Sequence, residues 1–201
     1  MMAFSRVAYI CKCPTRISAP ASAEYDVPGL RVRTGTAADL PRLPAEICPP
    51  DRLDRLEARL VTGEILVLGE LEGRIVSLTW LRREGEFALH HLPAHPFRLA
   101  EGHGYGYDAW TDPTLRGQGI RRAVFAEELR ILDRLGISHE VSYFVDHQLD
   151  GGRRNLARIG VPLIELWKLT VRPGGAVALQ ALSADGAVSP CFVPATEESR
   201  A

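Results

Sequence analysis

The chain has 201 residues, of which 46% are hydrophobic and 24% charged, and a formal net charge of −1. That length and apolar fraction suit one globular domain with a full core. The near-neutral balance supplies no global field to draw nucleic acid or a membrane surface. Of the 24 basic residues all but Lys12 and Lys168 are Arg, which reads as composition bias rather than as a phosphate-binding surface. No apolar run approaches the roughly 20 residues that a membrane helix needs. Cys11, Cys13, Cys48 and Cys191 complete no zinc pattern. Free thiols in a reducing compartment are expected, with the cytoplasm as the default.

Residues 1–29 read as a flexible extension. Met1 to Ala23 has Arg6, a short apolar patch and small residues, but Lys12, Pro14 and Arg16 interrupt that patch, unlike an export signal. The domain proper begins near Leu30, and Leu30–Arg33 is a short strand. Thr36-Ala37-Ala38-Asp39 is a capping box for a first helix, bounded by Pro41 and Pro44. Leu53, Leu56 and Leu60 recur at spacings of three and four, which predicts a helix over Asp51–Val61 closed by Gly63. Ile65–Leu71 and Arg74–Leu81 are strands around a tight Glu72-Gly73 turn. A polar loop with His and Pro spans Arg82–His103. Gly104–Thr111 is a fourth strand, Gly119–Leu135 a long helix stopped at Gly136, and His139–Val145 a fifth strand. Arg153–Ile159 is a short helix closed by Gly160, and Leu163–Val171 a further strand. The domain thus covers residues 30–172. Residues 173–201 are an accessory hairpin, Ala176–Leu182 with Ala187–Val193, and a tail. That hairpin can pair with the main sheet or with a second copy in a homodimer. Initial hairpins and a helical crossover imply an α/β (α+β) fold with a mixed sheet and helices on both faces.

The segment Thr111-Asp112-Pro113-Thr114-Leu115-Arg116-Gly117-Gln118-Gly119-Ile120-Arg121-Arg122 joins the fourth strand to the long helix. The first amides of a helix have no partner within it and carry the positive end of its dipole. Gly117 and Gly119 admit a ligand close to the backbone, and no Ser, Thr, Asp or Asn caps the amides there. Arg116, Arg121 and Arg122 crowd this end, where each cation is unfavourable by about 0.3–1 kcal/mol. Bare amides among three arginines make a site for a phosphate group.

Element order and the run Arg116-Gly117-Gln118-Gly119-Ile120-Arg121 resemble the GNAT (Gcn5-related N-acetyltransferase) superfamily, whose acyl-CoA motif is Gln/Arg-x-x-Gly-x-Gly/Ala. The resemblance spans Leu30 to Val171. It implies that the fourth and fifth strands splay and that acyl-CoA, acetyl-CoA above all, enters between them. Its pantetheine arm would pair with backbone near Trp110 and Thr111. Its pyrophosphate would lie on the amides of Gly117, Gln118, Gly119, Ile120 and Arg121, beside the Arg116 side chain. Arg121 stands where the family has Gly or Ala, so its side chain must swing aside or join the contact. The stretch 146–161 contains Asn155 but lacks the family's Tyr acid, and Val161 replaces the Phe after the glycine.

Acyl transfer from a thioester to an amine requires removal of an amine proton, a donor for the oxyanion and protonation of the thiolate. Asp108 is the candidate base; on strand alternation it shares a face with Gly104, Gly106 and Trp110, opposite Tyr105 and Tyr107. Tyr143 is the candidate acid. His90, His91, His95, His103 and His147 are expected to line the acceptor pocket rather than to bind a metal. The reading is an N-acyltransferase with a small-molecule amine acceptor. Two alternatives remain open: a catalytically degenerate acyl-CoA sensor or scaffold, and a long-chain enzyme that takes its acyl group from acyl-CoA or an acyl carrier protein.

Overall fold

The computed structural model describes residues 6–16, 27–88, 96–145, 148–171, 177–182 and 192–194. In chain order the strands are β1 (Arg6–Pro14), β2 (Leu30–Thr34), β3 (Ile65–Leu71), β4 (Arg74–Arg82), β5 (Glu86–Ala88), β6 (Pro96–Leu99), β7 (His103–Thr111), β8 (His139–Val145), β9 (Glu165–Val171), β10 (Val177–Ala181) and β11 (Phe192–Pro194). The helices are α1 (Leu53–Val61), α2 (Ile120–Arg134) and α3 (Leu149–Arg158). Short 3-10 turns cover Ala37–Arg42, Pro50–Arg52 and Pro113–Leu115.

Among the described residues eight strands form one mixed sheet in the order β10-β9-β1-β8-β7-β4-β3-β2. Its middle is buried on both faces. In β3, Leu66 and Leu68 pack with Leu56 of α1 on one side, while Val67 between them packs with Val124, Ile131 and Leu132 of α2 on the other. This is the two-residue alternation of a strand covered on both faces. α1 sits at the spacing its leucines predicted, and Leu56 is 5% exposed. The capping box is present: the Thr36 amide donates to Asp39 Oδ2 at 2.9 Å. Asp39 and Glu70 also accept from Arg33 and Arg42. This network pulls the carboxyls of both acids below their ordinary range, chiefly through the Arg33 guanidinium.

Three expectations require correction. Part of the supposed flexible extension is β1, an inner strand antiparallel to both β8 and β9. Lys12, which breaks the apolar patch in sequence, is only 7% exposed and ion-paired to the fully buried Glu165. A buried lysine is tolerated when it is paired in this way. The polar loop of 82–103 contains the β5–β6 ladder, whose Phe87, Phe97 and Leu99 are buried with Tyr105. The described ends of the expected accessory hairpin find different partners: β10 pairs with β9, and β11 pairs with β6 in a separate three-stranded sheet, while residues 183–191 between them lie outside the described residues.

Candidate functional site

β7 and β8 are the parallel neighbours at the centre of the sheet. Their register runs from His103↔His139 to Gly106↔Ser142 and stops there. Beyond it β7 continues against β4 alone, and β8 against β1. The sheet opens at Tyr107 and Tyr143. A β-bulge lies at the same place: Trp80 faces Tyr107 and Leu78 faces Trp110, so Asp108 and Ala109 together oppose Thr79. Asp108 has φ +50°, a left-handed conformation uncommon for a residue with a side chain. Bulges of this kind bend a strand and re-aim its side chains.

The bulge overturns the expected alternation. Tyr105, Tyr107, Asp108 and Trp110 line one cavity of about 420 Å³ on the α1 side of the sheet, together with Trp80, Arg59 and Tyr143. A second cavity of about 260 Å³ lies on the α2–α3 side and includes Gly106, Arg121, Phe125, Ser142, Asn155 and Leu156. Tyr107, Asp108, Ala109 and Tyr143 border both. The cleft therefore passes through the sheet, and both candidate catalytic side chains stand at the passage.

Asp108 is 52% exposed and bonds Arg59 Nη1 at 2.9 Å. Arg59 lies over the rings of Trp80 and Tyr107, 5.2 and 5.0 Å from their centroids, which fixes its fork by cation–π contact. Tyr143 is half-buried; desolvation, with the nearby Asp108 charge, raises its phenol above the usual range. It therefore keeps its proton at neutral pH. Trp110 Nε1 donates to Glu46 Oε1 at 2.9 Å, and the Thr111 hydroxyl lies 3.0 Å from that of Ser77.

The turn after β7 is built as its sequence suggests. Asp112 caps the 3-10 turn by accepting from the Thr114 amide at 2.9 Å. Gly117 and Gly119 have φ +83° and +85°, where glycine alone is unstrained. Gly119 is the N-cap of α2 and offers no side-chain cap. The first helical bond runs from the Ala123 amide to the Gly119 carbonyl. Among the described residues the amides of Gly117, Gln118, Gly119 and Ile120 meet no protein acceptor. The Ile120 side chain is buried and anchors the helix start, whereas Gly117 and Gln118 are exposed. Arg116 is exposed and donates from Nε to the Thr111 carbonyl at 3.3 Å.

Arg121 takes the first of its two courses. Its side chain turns away from the turn, under the sheet, onto Glu128. Glu128 and Glu140 are both fully buried, and Ser142 Oγ donates to Glu140 Oε1 at 2.9 Å. A Cβ on Gly106 would collide with that carboxyl group, so this glycine is there for space. Of the two buried carboxyls only Glu128 is bonded to the guanidinium, and Glu140 Oε2 meets no partner among the described residues. Burial and the Glu128 charge push Glu140 well above the carboxylate range, and burial likewise raises Glu128.

Sequence reasoning missed this Glu128–Glu140–Ser142 cluster and the placement of Cys11 and Cys13 on the α2–α3 cavity wall. A buried Glu in the strand His139–Val145 was the available signal. Asn155 and Leu156 face the cleft where α3 supplies no phenol. His103 stacks on His139 at 5.2 Å. His90, His91, His95 and His147 lie outside the described residues. No group of three metal-ligating side chains occurs among the described residues.

No protein-family model matches the chain, and no curated protein does. Solved structures do. A GCN5-related glucosamine N-acetyltransferase region of a fungal multi-domain β-N-acetylglucosaminidase superposes over 84% of this chain and 21% of its own, at 13% identity and TM-score 0.55. A GNAT-family structure from Novosphingobium aromaticivorans covers 84% of this chain and 65% of its own, at 13% identity and TM-score 0.50. A GCN5-related N-acetyltransferase from Ralstonia eutropha is 21% identical over 63% of this chain and 90% of its own, with TM-score 0.45. With its strands splayed at Gly106 and a glycine turn leading into α2, the chain has the fold of the Gcn5-related N-acetyltransferases.

Proposed function

We propose that the protein transfers an acyl group, acetyl in the simplest case, from acyl-CoA to the amine of a small acceptor. Two observations support this reading: the amides of Gly117–Ile120 meet no acceptor among the described residues, and β7 has no β8 partner beyond Gly106, where Asp108 and Tyr143 border the cavities. The Gly117, Gln118, Gly119, Ile120 and Arg121 amides hold the pyrophosphate, with the α2 dipole behind them. Arg116 adds a charge-assisted donor, and the Trp110 and Thr111 backbone pairs with pantetheine. Turning Arg121 onto Glu128 leaves its amide accessible without its side chain in the way.

At the passage Asp108 takes the amine proton as the C–N bond forms. Tyr143 gives its proton to sulfur as the C–S bond breaks. Positioned proton transfer of this kind accelerates a reaction by about 10²–10⁴-fold, and alignment of donor and acceptor contributes further. The test is calorimetric titration with acetyl-CoA, followed by measurement of free CoA thiol released with a panel of small amines. Binding with amine-dependent release is expected. Binding without release from any amine would make the protein an acyl-CoA sensor, and absence of binding would remove the reading altogether.

A further inference from the structure

The α1-side cavity has an uneven charge distribution. Arg52, Arg55 and Arg59 all line it. Arg55 and Arg59, four apart on α1, share one face, and Arg52 ends the 3-10 turn just before it; the three line the cavity beside Leu53, Leu56 and Leu60, which face the core. Like charges at this spacing destabilise a helix. Of the three, Arg59 is compensated, by Asp108. Among the described residues neither Arg52 nor Arg55 has a carboxylate within ion-pair distance. The cavity's other acid, Glu46, accepts from Trp110 instead. Two exposed guanidinium groups thus line a small-molecule-sized space without a carboxylate bonded to either among the described residues. Forked guanidinium groups match the oxygens of a carboxylate or phosphate.

We propose that the acceptor is an anionic amine: an amino group at one end, presented to Asp108 and Tyr143, and a carboxylate or phosphate at the other, bound by Arg52 and Arg55. This rests on the acyltransferase reading above and narrows its substrate class. The cavity, about 420 Å³, is of the size that takes such a molecule whole. Trp80 and Trp110 supply aromatic wall to it.

The test compares β-alanine with β-alaninamide, and 3-aminopropyl phosphate with 3-aminopropanol, by kcat/KM from CoA thiol release. The charged member of at least one pair is expected to exceed its neutral counterpart by on the order of tenfold or more, because a site built for a polar group discriminates strongly against its absence. The pair that responds tells carboxylate from phosphate. Arg52→Gln combined with Arg55→Gln is expected to abolish the preference, while Arg52→Lys with Arg55→Lys retains part of it; melting temperature serves as the fold control. Equal rates within both pairs, a preference that survives the double Gln variant, or no turnover of any of the four compounds would overturn the proposal. Acetyl-CoA affinity by calorimetry is read separately: its absence removes the acyltransferase reading, and its presence alongside any of those outcomes removes the anionic-acceptor inference alone.

Discussion

Asp108 and Tyr143 were legible as candidates because a carboxylate and a phenol on adjacent strands are the groups this chemistry uses. Their meeting was not legible, since it depends on the bulge at Asp108–Ala109, which puts Tyr105, Tyr107, Asp108 and Trp110 around one cavity. Tyr143→Phe removes the proposed proton donor while keeping the ring, so kcat should fall by about 10²-fold with acetyl-CoA affinity unchanged; steady-state kinetics beside calorimetry separate the two. Glu140 makes a different prediction. Its folded-state pKa is raised by burial and by Glu128. Its contribution to stability is therefore complete below the ordinary carboxylate range and is lost as pH rises through the raised value. Glu140→Gln mimics the protonated form, so the melting temperature of the variant should gain on that of the wild type as pH increases from 5 to 9. A parallel pair of curves would show that Glu140 does not titrate in this window.

At the scale of elements, the segment from Asp112 to Arg134 is the most self-determined part of the chain. An aspartate cap, a proline, two glycines and an apolar helical stripe follow in the order that strand, turn and helix require, and each element forms where its local chemistry puts it. Gly119→Asp places a carboxylate and a Cβ at the centre of the amide cluster. The positive φ adds strain of about 1–2 kcal/mol, and the new anion competes for the same donors. Acetyl-CoA affinity should fall by on the order of a hundredfold while far-UV circular dichroism stays that of the wild type; unchanged affinity would displace the pyrophosphate from this turn. The charge network around Arg33 is likewise local in origin, seeded by the capping box at Thr36–Asp39. Because the Asp39 carboxyl is held below its ordinary range, its stabilisation is present above pH about 4 and lost on acidification. Asp39→Asn should lower the melting temperature at pH 7 more than at pH 3. Equal losses at both would assign its role to packing.

In the whole molecule the decisive element is the one that the sequence hid. β1 fills the gap between β8 and β9 and buries Ile10, Cys11 and Cys13. Without it β8 keeps only its four-residue register with β7. Ile10→Ala should cost about 2–5 kcal/mol, as for other buried aliphatic truncations, read from denaturant midpoints. Removal of residues 1–16 should abolish the cooperative transition; a cooperative melt within a few degrees of the full chain would make β1 dispensable. By itself the sequence determined the glycine turn, the flanking strand and helix, the α1 stripe and the hairpin of β3 and β4, because propensity, periodicity and capping act over a few residues. Only the tertiary structure decided that Lys12 lies inside with Glu165, that residues 6–14 complete the sheet, that β10 and β11 part company, and that Arg121 turns inward to Glu128. Each of those outcomes turns on a partner far away in sequence. A buried charge is stable only where such a partner neutralises it, and an edge strand only where another edge is free to receive it.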